Sequence, residues 1–461
     1  MWLLQMLCAE LHPGAGVLTD PTDAEFRKRL ERWTDVEKKV PDAIILPATE
    51  KDIVAIVHIA VELEIPFVPK SGGFSMWSTI GSEGFILDLS LYRDVQLDLK
   101  KQQVTICGGA TVGEVNSVTV KEGFVASLGF NNALGAISST INGGIGPLVS
   151  HIGYGSDNII SARLVTAEGN LITVSDTENS ELFYAIRGAG QFFGLVTSIT
   201  MRMFHTPSVL GTPDNTVWRY QIVFPIERAE EVINTMTLIA AMDPSSSGAI
   251  MCMSQGPAPK LKLQITGVYL GSKTQGEACF KPILDLGPIR YWQLKDLFSQ
   301  DEDLRLGGGL RHVSSIGTQN FDPEMALEAL GKFQEFVSSF PEACERLTFE
   351  MDWIAEGVAS RVGELGCVET AWAHRDVKIW TYIMHDYTDP SHEAFVQLLA
   401  DEIRAILRRN QPFELQSSYQ AITRKDPIEM RYRPAERLEK LRHLKKTWDP
   451  RGVFTREFLD Y

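Results

Sequence analysis

The stretch that decides the fold is Pro69-Lys70-Ser71-Gly72-Gly73-Phe74-Ser75, which follows a helix-then-strand pattern and precedes the apolar run Phe85-Ile86-Leu87-Asp88-Leu89-Ser90. Consecutive glycines let the backbone approach a ligand closely and turn several N–H groups toward one anion. Such a loop can hold a diphosphate. On its own it is a weak signal, because a Ser-Gly-Gly sequence is more often an ordinary turn.

A second glycine-rich segment strengthens the interpretation. Residues 134–146 read Leu-Gly-Ala-Ile-Ser-Ser-Thr-Ile-Asn-Gly-Gly-Ile-Gly, and their small side chains can lie along a planar ring and a diphosphate without intruding. Three further segments follow in the chain: Gly153-Tyr154-Gly155-Ser156-Asp157-Asn158, then 181–190, then Phe193-Gly194-Leu195-Val196-Thr197.

In order and spacing, these segments resemble the FAD-binding domain of the vanillyl-alcohol-oxidase and p-cresol-methylhydroxylase (PCMH) superfamily, in its berberine-bridge-enzyme-like branch. The resemblance covers about residues 40 to 205 and returns at 370–382 and at Asp449-Pro450-Arg451-Gly452-Val453-Phe454. It implies an FAD cofactor. The cofactor-binding residues that it implies are Lys70, Ser71, Gly72, Gly73, Phe74, Ser75, Gly135, Ser138, Ser139, Asn142, Gly143, Gly144, Gly146, Gly194 and Val196.

The chain departs from the family pattern where the flavin is usually attached. Many members carry a histidine bonded to the flavin where Phe74 stands, and the second attachment residue, a cysteine, falls on or next to Asn131. Asn142 replaces a glycine, and His151 replaces an arginine. The resemblance therefore implies FAD held non-covalently, as a weaker oxidant or for chemistry that does not need a strong one.

The substrate-side candidates also come from the resemblance. Thr370-Ala371-Trp372-Ala373-His374-Arg375-Asp376 resembles an Ala-Phe-Pro-His-Arg segment, which makes His374 a catalytic candidate. Tyr382 matches a tyrosine on the following strand, and Tyr419 aligns loosely with the tyrosine of an Asn-Tyr pair. Either tyrosine could serve as base or proton relay if its pKa were lowered. The alternatives are a core position for Tyr382 and a structural hydrogen-bond cluster for His374.

The alternation of helix and strand signals predicts an α+β fold. From Gly211 onward, period-two segments such as Trp218 to Phe224 predict a sheet with one covered face. Asp322-Pro323 and Asp389-Pro390 mark the starts of two long helices, the second ending near Asn410. We expect a two-subdomain PCMH-type FAD-binding domain (1–208), a substrate domain with an antiparallel sheet backed by helices (209–414), and a C-terminal segment (415–461) that returns to the FAD-binding domain.

Composition excludes several classes of protein. The 461 residues carry a formal net charge of -15, which disfavours binding to nucleic acid or to an anionic membrane surface. The chain lacks a convincing signal peptide, so we expect a cytoplasmic protein. The six cysteines are scattered, which indicates free thiols, and no motif predicts a metal site.

The sequence therefore predicts an FAD-dependent oxidoreductase for a small organic substrate, in which a hydride passes to flavin N5 and O2 is the acceptor. Biosynthesis of a secondary metabolite is expected from the family. A redox-neutral cyclase that uses FAD as a structural or electrostatic element is the alternative, and a non-catalytic flavin-binding protein is a third reading. Oxygen consumption would discriminate the first from the second.

Overall fold

The computed structural model describes residues 11–212, 217–242, 245–255, 260–294, 308–344, 346–354, 357, 369–423 and 426–459. Helices and strands are mixed along the chain, and most of the strands are antiparallel. The predicted α+β class is confirmed. No helix within the described ranges is long and apolar enough to cross a membrane.

The first layer is a small sheet with its helices. Its strands are β1 (Gly16–Leu18), β2 (Ala43–Leu46), β3 (Phe67–Lys70) and β4 (Phe85–Asp88), in the order β1-β2-β4-β3, and its helices are α1 (Ala24–Leu30) and α2 (Glu50–Glu62). The predicted capping box is present, since the Thr49 hydroxyl accepts from the Asp52 N–H while the Asp52 carboxylate accepts from the Thr49 N–H. Strand β3 lies parallel to β4 and delivers the chain directly to the first glycine loop.

The second layer is a five-stranded antiparallel sheet in the order β5-β6-β10-β8-β9, with a two-stranded ribbon of β7 and β11 beside it. The strands are β5 (Val95–Asp98), β6 (Gln103–Cys107), β7 (Phe124–Val125), β8 (Ile159–Val165), β9 (Leu171–Ser175), β10 (Leu195–Arg202) and β11 (Phe204–His205). The helices are α3 (Val112–Lys121), α4 (Ala136–Thr140), α5 (Val149–Ile152), α6 (Ser180–Ala189, broken at Arg187 and Gly188) and α7 (Thr206–Leu210). Strands β6 and β10 share one hydrophobic core with α3, α4 and α6.

The third layer is a seven-stranded antiparallel sheet in the order β15-β12-β14-β13-β17-β18-β16. The strands are β12 (Trp218–Pro225), β13 (Ser246–Gln255), β14 (Lys262–Tyr269), β15 (Arg290–Leu294), β16 (Leu310–Thr318), β17 (Arg346–Ile354) and β18 (Ile379–Tyr387). The helices are α8 (Ala229–Met242), α9 (Lys273–Cys279), α10 (Lys281–Leu284), α11 (Pro323–Ser339) and α12 (His392–Leu407). One face of the sheet packs on these helices in a continuous apolar core, so the other face is left for a site.

One predicted helix start is confirmed and the other is wrong. The Asp322 carboxylate caps α11 by accepting from the N–H groups of Glu324 and Met325. Helix α12 starts at His392 rather than at Asp389-Pro390, and it ends at Leu407, before Asn410. The Asp389 carboxylate instead accepts from the Ser391 N–H in the turn that precedes the helix. The same Asp-Pro sequence predicts a helix cap at both sites. The two sites differ in the local turn geometry, which the sequence pair does not show.

The C-terminal residues pack against the first half of the chain. The last helices are α13 (Ile428–Arg431) and α14 (Ala435–Trp448). Leu438, Leu441 and Leu444 of α14 are buried in the core that contains β6 and β10. The Lys445 ammonium, fully buried, donates to the Phe192 carbonyl and to Asp449.

The described cysteines, Cys107, Cys252, Cys279 and Cys344, are free thiols; Cys8 and Cys367 lie outside the described residues. The same part of the chain holds no cluster of His, Cys, Asp or Glu that could bind a metal ion.

Candidate cofactor and substrate site

The two glycine loops meet backbone to backbone. A Cβ atom added to Gly72 would lie 2.4 Å from the Gly135 nitrogen, and one added to Gly135 would lie 2.5 Å from Ser71 Oγ and 2.7 Å from Ser138 Oγ. Both approaches are closer than real side chains tolerate, so glycine is required on each side. The contact places two serine hydroxyls around one point where the backbone is bare.

This geometry fits a diphosphate. Ser138 is exposed and Ser71, Gly72 and Ser139 are half-buried, so the hydroxyls and the bare backbone are accessible to a ligand. The Ser71 hydroxyl donates to the Gly108 carbonyl at 2.8 Å, and the Ser138 and Ser139 hydroxyls donate to carbonyls of the preceding turn. Their lone pairs and the nearby N–H groups remain as polar contacts for an anion.

Lys70 turns away from this point. Its ammonium donates to the Arg29 carbonyl and lies 3.5 Å from the Asp88 carboxylate, and its side chain is nearly fully buried. Burial lowers the pKa of Lys70. The side chain therefore ties α1, β3 and β4 together, and only the backbone of Lys70 is placed to support the loop.

The remainder of the first loop is ordered by local hydrogen bonds. The Gly73 carbonyl accepts from the Trp33 N–H at 2.9 Å, and the Ser75 hydroxyl accepts from the Trp77 N–H at 3.1 Å. Phe74 is half-buried between them.

The second glycine loop contacts the substrate-side segment, residues 370–376. Gly143 has a φ of 114°, and a Cβ there would lie 2.4 Å from the Trp372 ring, so the indole rests directly on the bare backbone. A Cβ added to Gly144 would lie 2.7 Å from the Gly155 Cα atom, and one added to Gly146 would lie 1.8 Å from the Leu128 carbonyl oxygen. The Asn142 amide donates to the Ser138 carbonyl at 2.9 Å, and its Oδ1 atom is buried without a hydrogen-bond partner. That acceptor is open to a donor from a ligand.

The side-chain positions of Gly194 and Val196 face the packed core of the second layer. A Cβ at Gly194 would meet the Leu164 side chain at 2.2 Å, and the Val196 side chain belongs to the core. Only their backbone atoms can contact a cofactor.

An aromatic cluster joins the second loop to the seven-stranded sheet. Ring-centroid distances are 5.2 Å for Tyr154 to Trp372, 5.9 Å for Trp372 to Tyr419, and 5.6 Å for Tyr419 to Trp380. Trp380 is on β18, two residues from Tyr382 on the same face. The structure thus brings Tyr419 and Tyr382 together at this cluster.

Neither tyrosine has a lowered pKa. Burial raises the pKa of Tyr419, and burial together with the nearby Asp352, Tyr419 and Glu350 raises that of Tyr382. Both phenols are neutral at ordinary pH and can donate hydrogen bonds. The condition under which a tyrosine would act as base is therefore not met by the protein groups around them.

His374 is fully buried beneath the cluster. Its Nε2 atom lies 3.1 Å from Gln420 Oε1, and the Gln420 amide donates to the carbonyls of Asn142 and Gly188. Burial, with Arg433 and Arg437, holds the pKa of His374 well below its usual value. The neutral imidazole thus connects the segment to the glycine loop, which agrees with the structural alternative for this residue.

The residues that flank His374 form ion pairs across the structure. The Arg375 guanidinium binds the Asp157 carboxylate through two nitrogens and also donates to Thr370 Oγ1. Asp376 pairs with Arg433. These pairs hold residues 370–376 against the Tyr154–Asn158 turn.

Sequence reasoning missed four residues of this region. Gln420, Trp380, Glu350 and Asp352 were not candidates, although all four lie in or beside the aromatic cluster. The alternation Glu350-Met351-Asp352 within an apolar strand was the available signal, because it places two acids on one face of a sheet.

Comparison with known proteins agrees with this geometry. Residues 41–175 match the family model described as an FAD binding domain. The FAD-linked oxidoreductase hasG of Aspergillus fumigatus is 29% identical over 95% of this chain and 96% of its own length.

Solved structures share the fold. BBE-like 1 of Physcomitrella patens has a TM-score of 0.81 at 19% identity, covering 98% of this chain and 97% of its own. The glucooligosaccharide oxidase of Acremonium strictum, described with a 6-S-cysteinyl, 8α-N1-histidyl FAD, has a TM-score of 0.77 at 20% identity, covering 98% of both chains.

Proposed function

We propose that the chain is an FAD-linked oxidoreductase of the vanillyl-alcohol-oxidase superfamily, and that it oxidises a small organic molecule at the aromatic cluster with O2 as the final acceptor. The observation that carries the proposal is the contact of the two glycine loops through Gly72 and Gly135, with Trp372 resting on Gly143. Bound FAD would accept a hydride from the substrate. The proposal includes a role in the biosynthesis of a secondary metabolite, which the family resemblance implies.

The protein's own residues would bind FAD, orient the substrate and exclude water. Ser71, Gly72, Gly135 and Ser138 would hold the diphosphate, and Asn142 would offer its open oxygen to a donor. Tyr154, Trp372 and Trp380 are almost completely excluded from solvent and Tyr419 is half-buried, so a substrate held at this cluster against the second loop would be shielded from water. Tyr419 and Tyr382 would position the substrate by donating hydrogen bonds.

The acceptor is tested on the protein loaded with FAD. The flavin is photoreduced under argon and then mixed with air-saturated buffer, while absorbance and hydrogen peroxide are followed. An oxidase recovers its oxidised spectrum within seconds and forms peroxide equal to the flavin. Recovery over many minutes contradicts O2 as acceptor and favours a dehydrogenase or the redox-neutral cyclase, which ring closure under argon would then test.

We also propose that the FAD is held without a covalent bond. Phe74 offers no nucleophilic atom, and Asn131 uses its side-chain oxygen to accept from the Ala133 N–H at 2.8 Å. On a denaturing gel, the protein band should therefore show no flavin fluorescence. A fluorescent band would contradict the proposal.

A further inference from the structure

The Gln420 side chain joins three distant parts of the chain at one buried point. It is completely excluded from solvent. Its amide nitrogen donates to the Asn142 carbonyl at 3.2 Å and to the Gly188 carbonyl at 3.0 Å, and its Oε1 atom lies 3.1 Å from His374 Nε2. Both N–H groups and the oxygen of this amide are therefore engaged at the same time.

These contacts fix the direction of each hydrogen bond in the group. A carbonyl can only accept, so the amide nitrogen must face Asn142 and Gly188, and the amide oxygen must face His374. Burial holds the pKa of His374 well below its usual value, so the imidazole is neutral and carries one proton. That proton lies on Nε2, because Gln420 Oε1 can only accept. The imidazole thus orients the amide toward the two carbonyls.

The two carbonyls belong to points of the cofactor half where the backbone is least restricted. Asn142 directly precedes Gly143, whose φ is 114°, in the second glycine loop. Gly188 has a φ of 137° at the break in α6, and its N–H donates to the Ile141 carbonyl at 3.0 Å. Glycines adopt many conformations, so a partner that holds the neighbouring carbonyls restricts the shape of the loop. Gln420 is such a partner for both the loop and the helix break.

The substrate-side segment packs on the same two glycines. A Cβ at Gly143 would lie 2.4 Å from the Trp372 ring, and one at Gly188 would lie 2.3 Å from the Trp372 backbone nitrogen. Tyr419, the residue before Gln420, lies 5.9 Å from Trp372 between ring centroids. Two adjacent residues therefore contact the aromatic cluster and the glycine loop, one each.

We propose that Gln420 is a positioning residue for the cofactor: by holding the carbonyls of Asn142 and Gly188, it keeps the second glycine loop in the conformation that binds FAD. The inference rests on the proposed function and deepens it, because it names the residue through which the substrate side of the molecule supports the cofactor. A residue that only filled space could be replaced by an apolar side chain of the same length.

Gln420→Met tests this difference, since it keeps the length of the side chain and removes both donors. Fluorescence titration of the apo-protein with FAD measures affinity, and urea unfolding of the apo-protein measures stability. We expect the dissociation constant for FAD to rise at least about tenfold, because two buried carbonyls lose their donor and the loop loses its fixed shape. Gln420→Glu at pH 8 should bind FAD more weakly still, because its carboxylate turns an acceptor toward the two carbonyls.

Ser254→Ala is the matched control. The Ser254 hydroxyl is buried in the third layer and donates to the Cys344 carbonyl. The variant therefore also removes the donor of a buried carbonyl, but it leaves both glycine loops unchanged. It should lower the urea midpoint while its FAD affinity stays within about twofold of wild type, since distant sites act independently.

Unchanged FAD affinity in either Gln420 variant would overturn the proposal, as would an equal loss of affinity in Ser254→Ala. If one Gln420 variant does not fold, the other decides the question. Failure of both to fold also contradicts the proposal, because Gln420 would then be required for the fold rather than for the cofactor. Failure of the proposed function is distinguishable, because the wild-type protein would then bind no FAD or show no redox chemistry.

Discussion

At the scale of single residues, Gly72 meets the strictest steric demand in the cofactor site. The backbone nitrogen of Gly135 occupies the place where a Cβ would be, and backbone cannot move aside as a flexible side chain can. The same argument explains why the loop was recognisable from sequence: no other residue type fits the contact.

Gly72→Ala should therefore push the loops apart and lower the affinity for FAD by at least about tenfold, or about 1.4 kcal/mol. Fluorescence titration of apo-protein with FAD measures the change. Gly331→Ala is the control, because Gly331 lies inside α11 with nothing within 4 Å of the added atom. It should bind FAD normally and gain up to about 1 kcal/mol of stability. Normal FAD affinity in Gly72→Ala would contradict the assignment of the loop.

His385 gives the protein an acid-sensitive residue. Burial lowers the pKa of His385 from 6.5 to about 4, while its Nε2 donates to the Ala343 carbonyl at 2.8 Å. Below pH 6.5 the unfolded chain binds a proton that the folded chain refuses until about pH 4, so stability is lost as pH falls through this window. His385→Gln should remove about 1 kcal/mol of the difference in unfolding free energy between pH 7 and pH 5. Urea unfolding at the two pH values measures it, and an unchanged difference would contradict the argument.

At the scale of elements, the substrate-side segment is fixed to the FAD-binding half by the Arg375–Asp157 pair. The Asp157 side chain is completely buried, and its carboxylate also accepts from the Tyr154 N–H. Removing it would take the carboxylate away from both the guanidinium and that N–H, and the guanidinium would keep its hydrogen bond to Thr370 Oγ1.

Asp157→Ala should therefore cost about 3–5 kcal/mol of unfolding free energy. The exposed pair of Lys281 and Asp285 on α10 supplies the control, and Asp285→Ala should leave stability almost unchanged. Urea denaturation of the three proteins gives both values. Equal effects of the two substitutions would refute a special role for the buried pair.

Local sequence signals predicted individual helices and strands well. They could not predict which residues of distant strands pair with each other. The capping box at Thr49 and the N-cap at Asp322 were predictable from the sequence because each depends on residues within one helical turn. The partnership of Glu350 with Tyr382 could not, because it depends on the register between β17 and β18. The environment of His374 was equally hidden, since Gln420 reaches it from a remote part of the chain.

At the scale of the whole molecule, the aromatic rings of Trp372, Tyr419 and Trp380 connect the second glycine loop with the site-facing side of the large sheet. Helix α14 contributes Leu438, Leu441 and Leu444 to the core of the second layer. The net charge of -15 disfavours nucleic acid as a ligand. The glycine pattern predicted the cofactor half, but only the fold shows which sheet face completes the site.

The measurement that tests the central claim most directly is the flavin content of the purified protein, before and after incubation with FAD and desalting. The account predicts stoichiometric FAD with an oxidised flavin spectrum, all of it released into the supernatant when the protein is precipitated with acid. A protein without flavin absorbance even after added FAD would contradict the assignment of the two glycine loops, and flavin that stays in the precipitate would contradict non-covalent binding.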